Sequence, residues 1–460
     1  MPEHVTTDLS SLDLFLGPGA PMRVTFVGNF LTDLTLDSEM LRLSGYERAQ
    51  ALVAATLNGP DRHEWAYLQP SRGTHGLRFA VGGRSHEAAL PLSFIRRTGY
   101  ELDTRVTDHR LDSESASWHL AGLSLSFFDF GIGSLVADYV LTANEGLSAS
   151  ELRLLVEGVS MSLVEPYNIL IKESLEELRA AVASQLHDSA VNPAWFGESE
   201  HQVVLPGAVG ELLWLHRLYI VDNADESFDE YVRLSPKLLP TFYESHVATD
   251  FCYQPGLSSS AVVLRRPASG GTGIAWLIDT VAFQFAYVAL FMEIDRALLA
   301  QFTDLTVTSR RAGQRKLTDN SSSISRVYER VRWVRALLNT VIATGGAAAA
   351  KVWEQTAQVQ NFPLLEKSVD DKLDALQAMY NHRMQELSAA RARIVSLYVA
   401  TFTLFAVASS IFAVIDFVLG GSLLRLDTER LLIATSVVSA CLVAILLALR
   451  HGALRSGGSL

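Results

Sequence analysis

The chain is short of charge and nearly devoid of cysteine. Only 19% of its 460 residues are charged, and 38 Lys and Arg face 50 Asp and Glu, for a net charge of −12. Phosphate recognition needs clustered Lys and Arg, so this balance excludes a broad nucleic-acid-binding face. The two cysteines, Cys252 and Cys441, form no CxxC or Cys/His spacing, which excludes a zinc ribbon and a disulfide scaffold. Catalytic signatures are also missing. Asp129-Phe130-Gly131 stands without a Gly-rich loop or an HRD catalytic loop, and Gly270-Gly271-Thr272-Gly273 is not followed by Lys-Ser/Thr. Asp61-Arg62-His63-Glu64 lacks the second His of a zincin helix, and none of the 12 histidines pairs with another at i, i+4. The sequence therefore reads as a non-enzyme.

Apolar residues, in contrast, are abundant: 49% of the chain, with a mean hydropathy of +0.19. That excludes a disordered or collagen-like chain. The excess lies at the C-terminus, where residues 394–415 are 22 positions without a charge and residues 431–449 are 19 more. A bilayer core needs roughly 20 helical residues, so both runs are long enough to span, the first extending to 419. The 11-residue linker at 420–430 opens with Gly420, Gly421 and Ser422, residues that end helices readily, and predicts a hairpin. Arg383, Arg391 and Arg393 precede the first run and Arg450 and Arg455 follow the second, whereas Arg425 and Arg430 of the linker are offset by Asp427 and Glu429. The positive-inside rule then places both termini in the cytoplasm, in a multi-pass protein of the inner (cell) membrane. The opening residues have neither a basic n-region nor an apolar h-region, so the large N-terminal part is expected in the cytoplasm with Cys252 reduced. A third apolar stretch, 274–292, contains Asp279 and Gln284 and reads as a buried helix of the globular part rather than a third span.

Ahead of the membrane segments the expectation is an α+β cytoplasmic domain, then a long stalk helix, then a C-terminal two-helix transmembrane hairpin. Residues 1–145 read as a β-rich region, with strand-like runs at 22–27, 77–81, 90–95 and 120–128 and a helical period at 47–57. Residues 146–305 read as α+β. Ser148 and Glu151 make a capping box, an amphipathic helix follows at 167–186 after Pro166, strand-like runs return at 202–205, 212–221 and 261–265, and a helix covers about 276–302. From 320 to 393 the pattern is helical, with a helix to about 344, a break at Gly345-Gly346, a second helix over 347–360, and Pro363 at the first turn of a third. That third helix contains neither Gly nor Pro from 364 to 419, so at 1.5 Å per residue its 56 residues would reach ~84 Å. Leu373, Leu376, Tyr380, Leu387 and Ile394 follow coiled-coil spacing, with Arg383 interrupting. The stripe fits a self-associating stalk or a helix packed on its own domain.

This layout resembles the CorA-type divalent-cation transporters, a two-span family built as pentamers, over about residues 320–460. Where that family carries Gly-Met-Asn at the end of its first span, this chain has Asp416-Phe417-Val418-Leu419-Gly420-Gly421-Ser422, in which only a Gly corresponds. The resemblance implies an oligomeric cation channel gated by its cytoplasmic domain.

The candidate ion path rests on Asp416, because a carboxylate inside an apolar span faces water, a partner or the nearby interface. Repeated around an oligomer it would form a cation-attracting ring. Ser396, Thr403 and Ser410 recur every seven residues and Ser409 repeats that step to Asp416, giving one small polar face for a pore lining or for close helix packing. Glu366, Asp370, Asp371 and Asp374 crowd the start of the stalk helix. They complement its dipole, and Asp370, Asp371 and Asp374 could hold a divalent cation between subunits. The acidic stretch from Asp222 to Glu230 lacks EF-hand spacing and reads as a solvated loop. The competing reading is a membrane-anchored sensor or effector, including one in bacterial defence, whose cytoplasmic domain binds a small molecule or a partner. The expected partners are thus the lipid bilayer and further copies of the chain.

Overall fold

The computed structural model describes residues 14–35, 43–58, 64–66, 79–81, 84–86, 95–98, 113–128, 130–188, 207–222, 228–239, 246–247, 251–265, 272–308, 327, 331–332, 335 and 346–418. The chain divides into two units, Met1–Tyr380 and Asn381–Leu460.

The first unit is built on one nine-stranded sheet in the order β11-β12-β13-β10-β2-β8-β7-β6-β3. Its centre is formed by β2 (Pro21–Thr35), β7 (Ala116–Phe127), β8 (Phe130–Ala143) and β10 (Leu212–Val221). Toward one edge lie β13 (Ser259–Leu264), β12 (Phe251–Gln254) and β11 (His246–Val247), and toward the other β6 (Ile95–Thr98) and β3 (Trp65–Ala66). Every pairing is antiparallel except β10 with β13. Two small ladders complete the strands, β1 (Leu14–Leu16) with β9 (Leu147–Ser148) and β4 (Phe79–Val81) with β5 (Arg84–His86). The regions before and after residue 145 therefore share a single sheet. The expected runs at 22–27, 77–81, 120–128, 212–221 and 261–265 all contain strand. Of the run at 90–95 only Ile95 is described, and the one at 202–205 lies outside the described residues.

Helices cover both faces. Alternation along β8 sends Leu135, Ala137, Tyr139 and Leu141 into one core with Phe26 and Phe30 of β2 and Leu125 and Phe127 of β7. That core is closed by α1 (Leu43–Asn58), α2 (Ala149–Ser162) and α3 (Val164–Asp188) through Val53, Leu152, Val156, Ile171 and Leu178. The start of α2 is fixed as the sequence predicts. The Ser148 side chain accepts from the Glu151 backbone N–H at 3.3 Å, and the Ser148 N–H donates to the Glu151 carboxylate at 2.9 Å. The chain bends by 41° between α2 and α3 and continues through Pro166, which the first helical turn tolerates. A short α4 (Phe228–Leu234) lies in the crossover between the parallel strands β10 and β13.

The opposite face is covered by α5 (Thr272–Thr308) and α6 (Gly346–Val359), which bury Leu277, Val281, Phe285 and Val352 against Val27, Leu218, Ile220, Tyr253 and Val262. Val327, Val331, Arg332 and Arg335 are also helical, within the expected helix at 320–344. Asn361, in the left-handed region at φ 51°, turns the chain from α6 into α7 (Phe362–Val418), where Pro363 falls in the first turn.

Candidate functional site

Two helices are long and apolar enough to cross a membrane, and they differ in one decisive respect. In α5 the most apolar stretch lies within Leu277–Thr303, with a hydropathy of 1.6, and 83% of it is buried. In α7 it lies within Phe362–Ser409, with the same hydropathy of 1.6, and none of it is buried. The first is a core helix, as its Asp279 and Gln284 suggested. Asp279 pairs with Arg96 at 2.7 Å, and the Gln284 amide donates to the Trp353 carbonyl at 2.8 Å. The second exposes Val395, Tyr398, Phe402 and Val407 by 53–73%. Such a surface in water would forfeit the transfer energy of every one of these side chains. Residues 419–460 lie outside the described residues, and with them the second apolar run and the linker.

The described part of the polar stripe sits on this exposed helix. Ser396, Thr403 and Ser409 are exposed, and the Thr403 hydroxyl donates to the Val399 carbonyl of its own helix at 2.8 Å. Thr401 does the same to Leu397 at 2.8 Å. The side chains of Ser410 and Asp416 lie outside the described residues, although both positions belong to α7.

Of the two readings of the coiled-coil stripe, a stalk or a helix packed on its own domain, the first half of the stripe takes the second within the single chain. Leu373, Leu376 and Tyr380 are not a free seam but are buried within the first unit together with Val369. The base of α7 is drawn onto that unit by Phe362, whose ring packs on Tyr287 and Phe291 of α5 at centroid distances of 5.2 and 5.3 Å. Farther along, Leu387 is half-buried and Ile394 exposed.

Two of the acidic residues at that base, Glu366 and Asp370, share a protein partner. Arg335 reaches both carboxylate oxygens of Asp370 at 3.0 Å and Glu366 at 3.2 Å. Burial raises the Glu366 carboxyl above its usual range, against the opposing pull of Arg335. Asp371 and Asp374 are exposed. Among the described residues of the single chain, no group of three or more His, Cys, Asp or Glu converges as metal ligands would. Asp222 contacts Arg23 at 3.7 Å, and Asp229 and Glu230 lie in the first turn of α4.

Inside the globular unit the structure assembles polar groups that no sequence motif announces. His216 Nε2 lies 3.0 Å from Ser260 Oγ, and the Tyr253 hydroxyl is 2.7 Å from that of Thr356, which ties β10, β12 and β13 to α6. Burial drives the His216 imidazole down to about 3, so the ring is neutral. A polar row also crosses four strands, since Arg96, Ser126, Ser134 and Asn29 are successive partners in register. Both side-chain polar atoms of Asn29 are buried without a hydrogen-bond partner. At the β3–β6 edge Arg97 is buried against Glu64 at 3.1 Å, with its guanidinium 5.2 Å from the centre of the Trp65 ring. The one available signal was alternation, because Thr25, Asn29, Ser126 and Ser134 are polar residues at inward positions of apolar strands. Cys252 is buried in β12 and outside any disulfide among the described residues.

The fold and its exposed apolar helix define a class, an α+β sandwich whose last described helix has the length and apolarity of a membrane span. No known protein family, curated protein or solved structure matches the chain.

Proposed function

We propose that the chain is an integral membrane protein that assembles as a homo-oligomeric cation channel of CorA-like layout, with its sandwich on the cytoplasmic side as the gating element. The observation that carries the membrane part is the wholly exposed apolar window of α7, set against the buried window of equal hydropathy in α5. Lipid is the solvent that removes this cost. The ion path is assigned to Asp416 as a ring of carboxylates at the outer mouth, with Ser396, Thr403, Ser409 and Ser410 along the lining. The arginines flanking the apolar runs support cytoplasmic termini.

The second reading is a membrane-anchored sensor or effector. It is favoured by the Thr403 hydroxyl, which is satisfied within its own helix and needs no wet lining. Cation flux into liposomes holding the purified protein separates the two. The channel reading expects Asp416→Asn to change selectivity between cations, and light scattering to give a mass of several chains in detergent. A monomer, or flux unaltered by the substitution, leaves the anchor.

A further inference from the structure

The base of α7 is held by charge as well as by apolar contact. Arg335 forms a two-pronged pair with Asp370, reaches Glu366, and lies 5.5 Å from the centre of the Phe291 ring. On the neighbouring side Asp295 of α5 accepts from Lys372 at 2.5 Å and from the Ser368 hydroxyl at 2.9 Å. Two basic and three acidic side chains thus clamp the first turns of α7 onto α5 and the helical segment of Arg335. Each of these charged side chains keeps between 24% and 44% of its surface in solvent, so dissolved ions screen the clamp.

The contact beneath is incomplete. A shallow groove of about 390 Å³ runs between Phe302 of α5 and Leu364, Lys367 and Ala375 of α7. The Tyr287 hydroxyl, under the clamp, is buried without a hydrogen-bond partner. The stripe that the clamp holds down, Val369, Leu373, Leu376 and Tyr380, also continues in coiled-coil spacing, interrupted at Arg383, through Leu387 to the exposed Ile394. One stripe thereby has two possible occupants.

We propose that Arg335 and Asp295 form an ionic latch, and that opening it frees the stripe from Val369 to Tyr380 to pair with the same stripe of a second copy of the chain. The latch operates under either reading of the membrane function, because it concerns only the base of α7.

Hydrogen exchange on the full-length protein in detergent tests the release. Arg335→Ala and Asp295→Asn are each expected to raise amide exchange across 362–380 at least tenfold, with β2 and β8 unchanged. Raising salt from 0.05 to 0.5 M moves the unsubstituted protein in the same direction. The pairing is read from disulfide formation between copies carrying Leu376→Cys, compared with and without Arg335→Ala so that the effect of the new cysteine cancels. Several-fold more linked dimer in the Arg335→Ala background is expected. Exchange that stays low in both variants, or rises equally in β2 and β8, overturns the latch. Exchange that rises locally without added dimer overturns the second copy as its occupant.

Discussion

Acid destabilises the sandwich through His216. The ring is 1% exposed, lies 4.3 Å from Phe285 between centroids, and sits beside Ser260, with the charge of Arg217 adding to the burial that opposes protonation. Its pKa is about 3 when folded against ~6.5 when unfolded. A depressed folded pKa means that the unfolded state takes up the proton first. The contribution of the neutral ring is therefore complete above ~6.5 and is lost progressively as pH falls from there toward about 3. At pH 5 the unfolded histidine is almost fully charged and the folded one is not, which costs about 2 kcal/mol relative to pH 7. Urea unfolding of the solubilised protein, followed by tryptophan fluorescence at pH 7 and pH 5, measures this loss. Other groups titrate as well, so the informative quantity is the difference between the unsubstituted protein and His216→Asn, which should lack those ~2 kcal/mol of pH dependence. Equal pH dependence in the two proteins refutes the assignment of a buried neutral ring.

The two apolar helices should answer oppositely to truncation. Leu290→Ala in α5, at a position 1% exposed, is expected to cost ~2–5 kcal/mol in the same urea titration. Phe402→Ala in α7, at a position 73% exposed, should leave the midpoint unmoved. At the sheet edge, Glu64→Gln should cost ~1–3 kcal/mol, because the buried Arg97 guanidinium loses its nearest carboxylate but keeps Glu177 at 3.5 Å and Ser174 at 2.8 Å. The double replacement Glu64→Leu with Arg97→Met should cost less than that single change, as a double-mutant cycle would record.

Much of this architecture is legible in local pattern. Ser148 and Glu151 mark the start of α2 because a capping box is a contact between residues three apart. The strand at 212–221 declares itself by its apolar run, which ends in the strand formers Tyr219, Ile220 and Val221. The depth of α5 was readable from Asp279 and Gln284, which lipid tolerates poorly and which Arg96 and the Trp353 carbonyl satisfy. Strand order is different in kind, since the pairing of β10 with β2 joins residues nearly two hundred positions apart and leaves no local trace. The seam at Leu373, Leu376 and Tyr380 left two readings open for a related reason. A 4-3 repeat reports that one helix face is apolar and is silent on whether that face meets another copy or the chain's own first unit. Asp416 was singled out by its charge within an apolar run and Ser410 by a seven-residue step, and the hydrogen bond of Thr403 shows only that a hydroxyl in an apolar helix can be satisfied by its own backbone.

The burial of α5 has a consequence for how the protein is made. All strands of the nine-stranded sheet end by Leu264, and α5 begins at Thr272. When this greasy segment leaves the ribosome, every strand that will cover it has already been synthesised, and chains fold from the N-terminus as they emerge. Insertion machinery that weighs hydropathy alone would have reason to seize α5 as readily as α7. What separates the two is that a docking platform made beforehand covers α5, whereas among the described residues the apolar window of α7 is left uncovered.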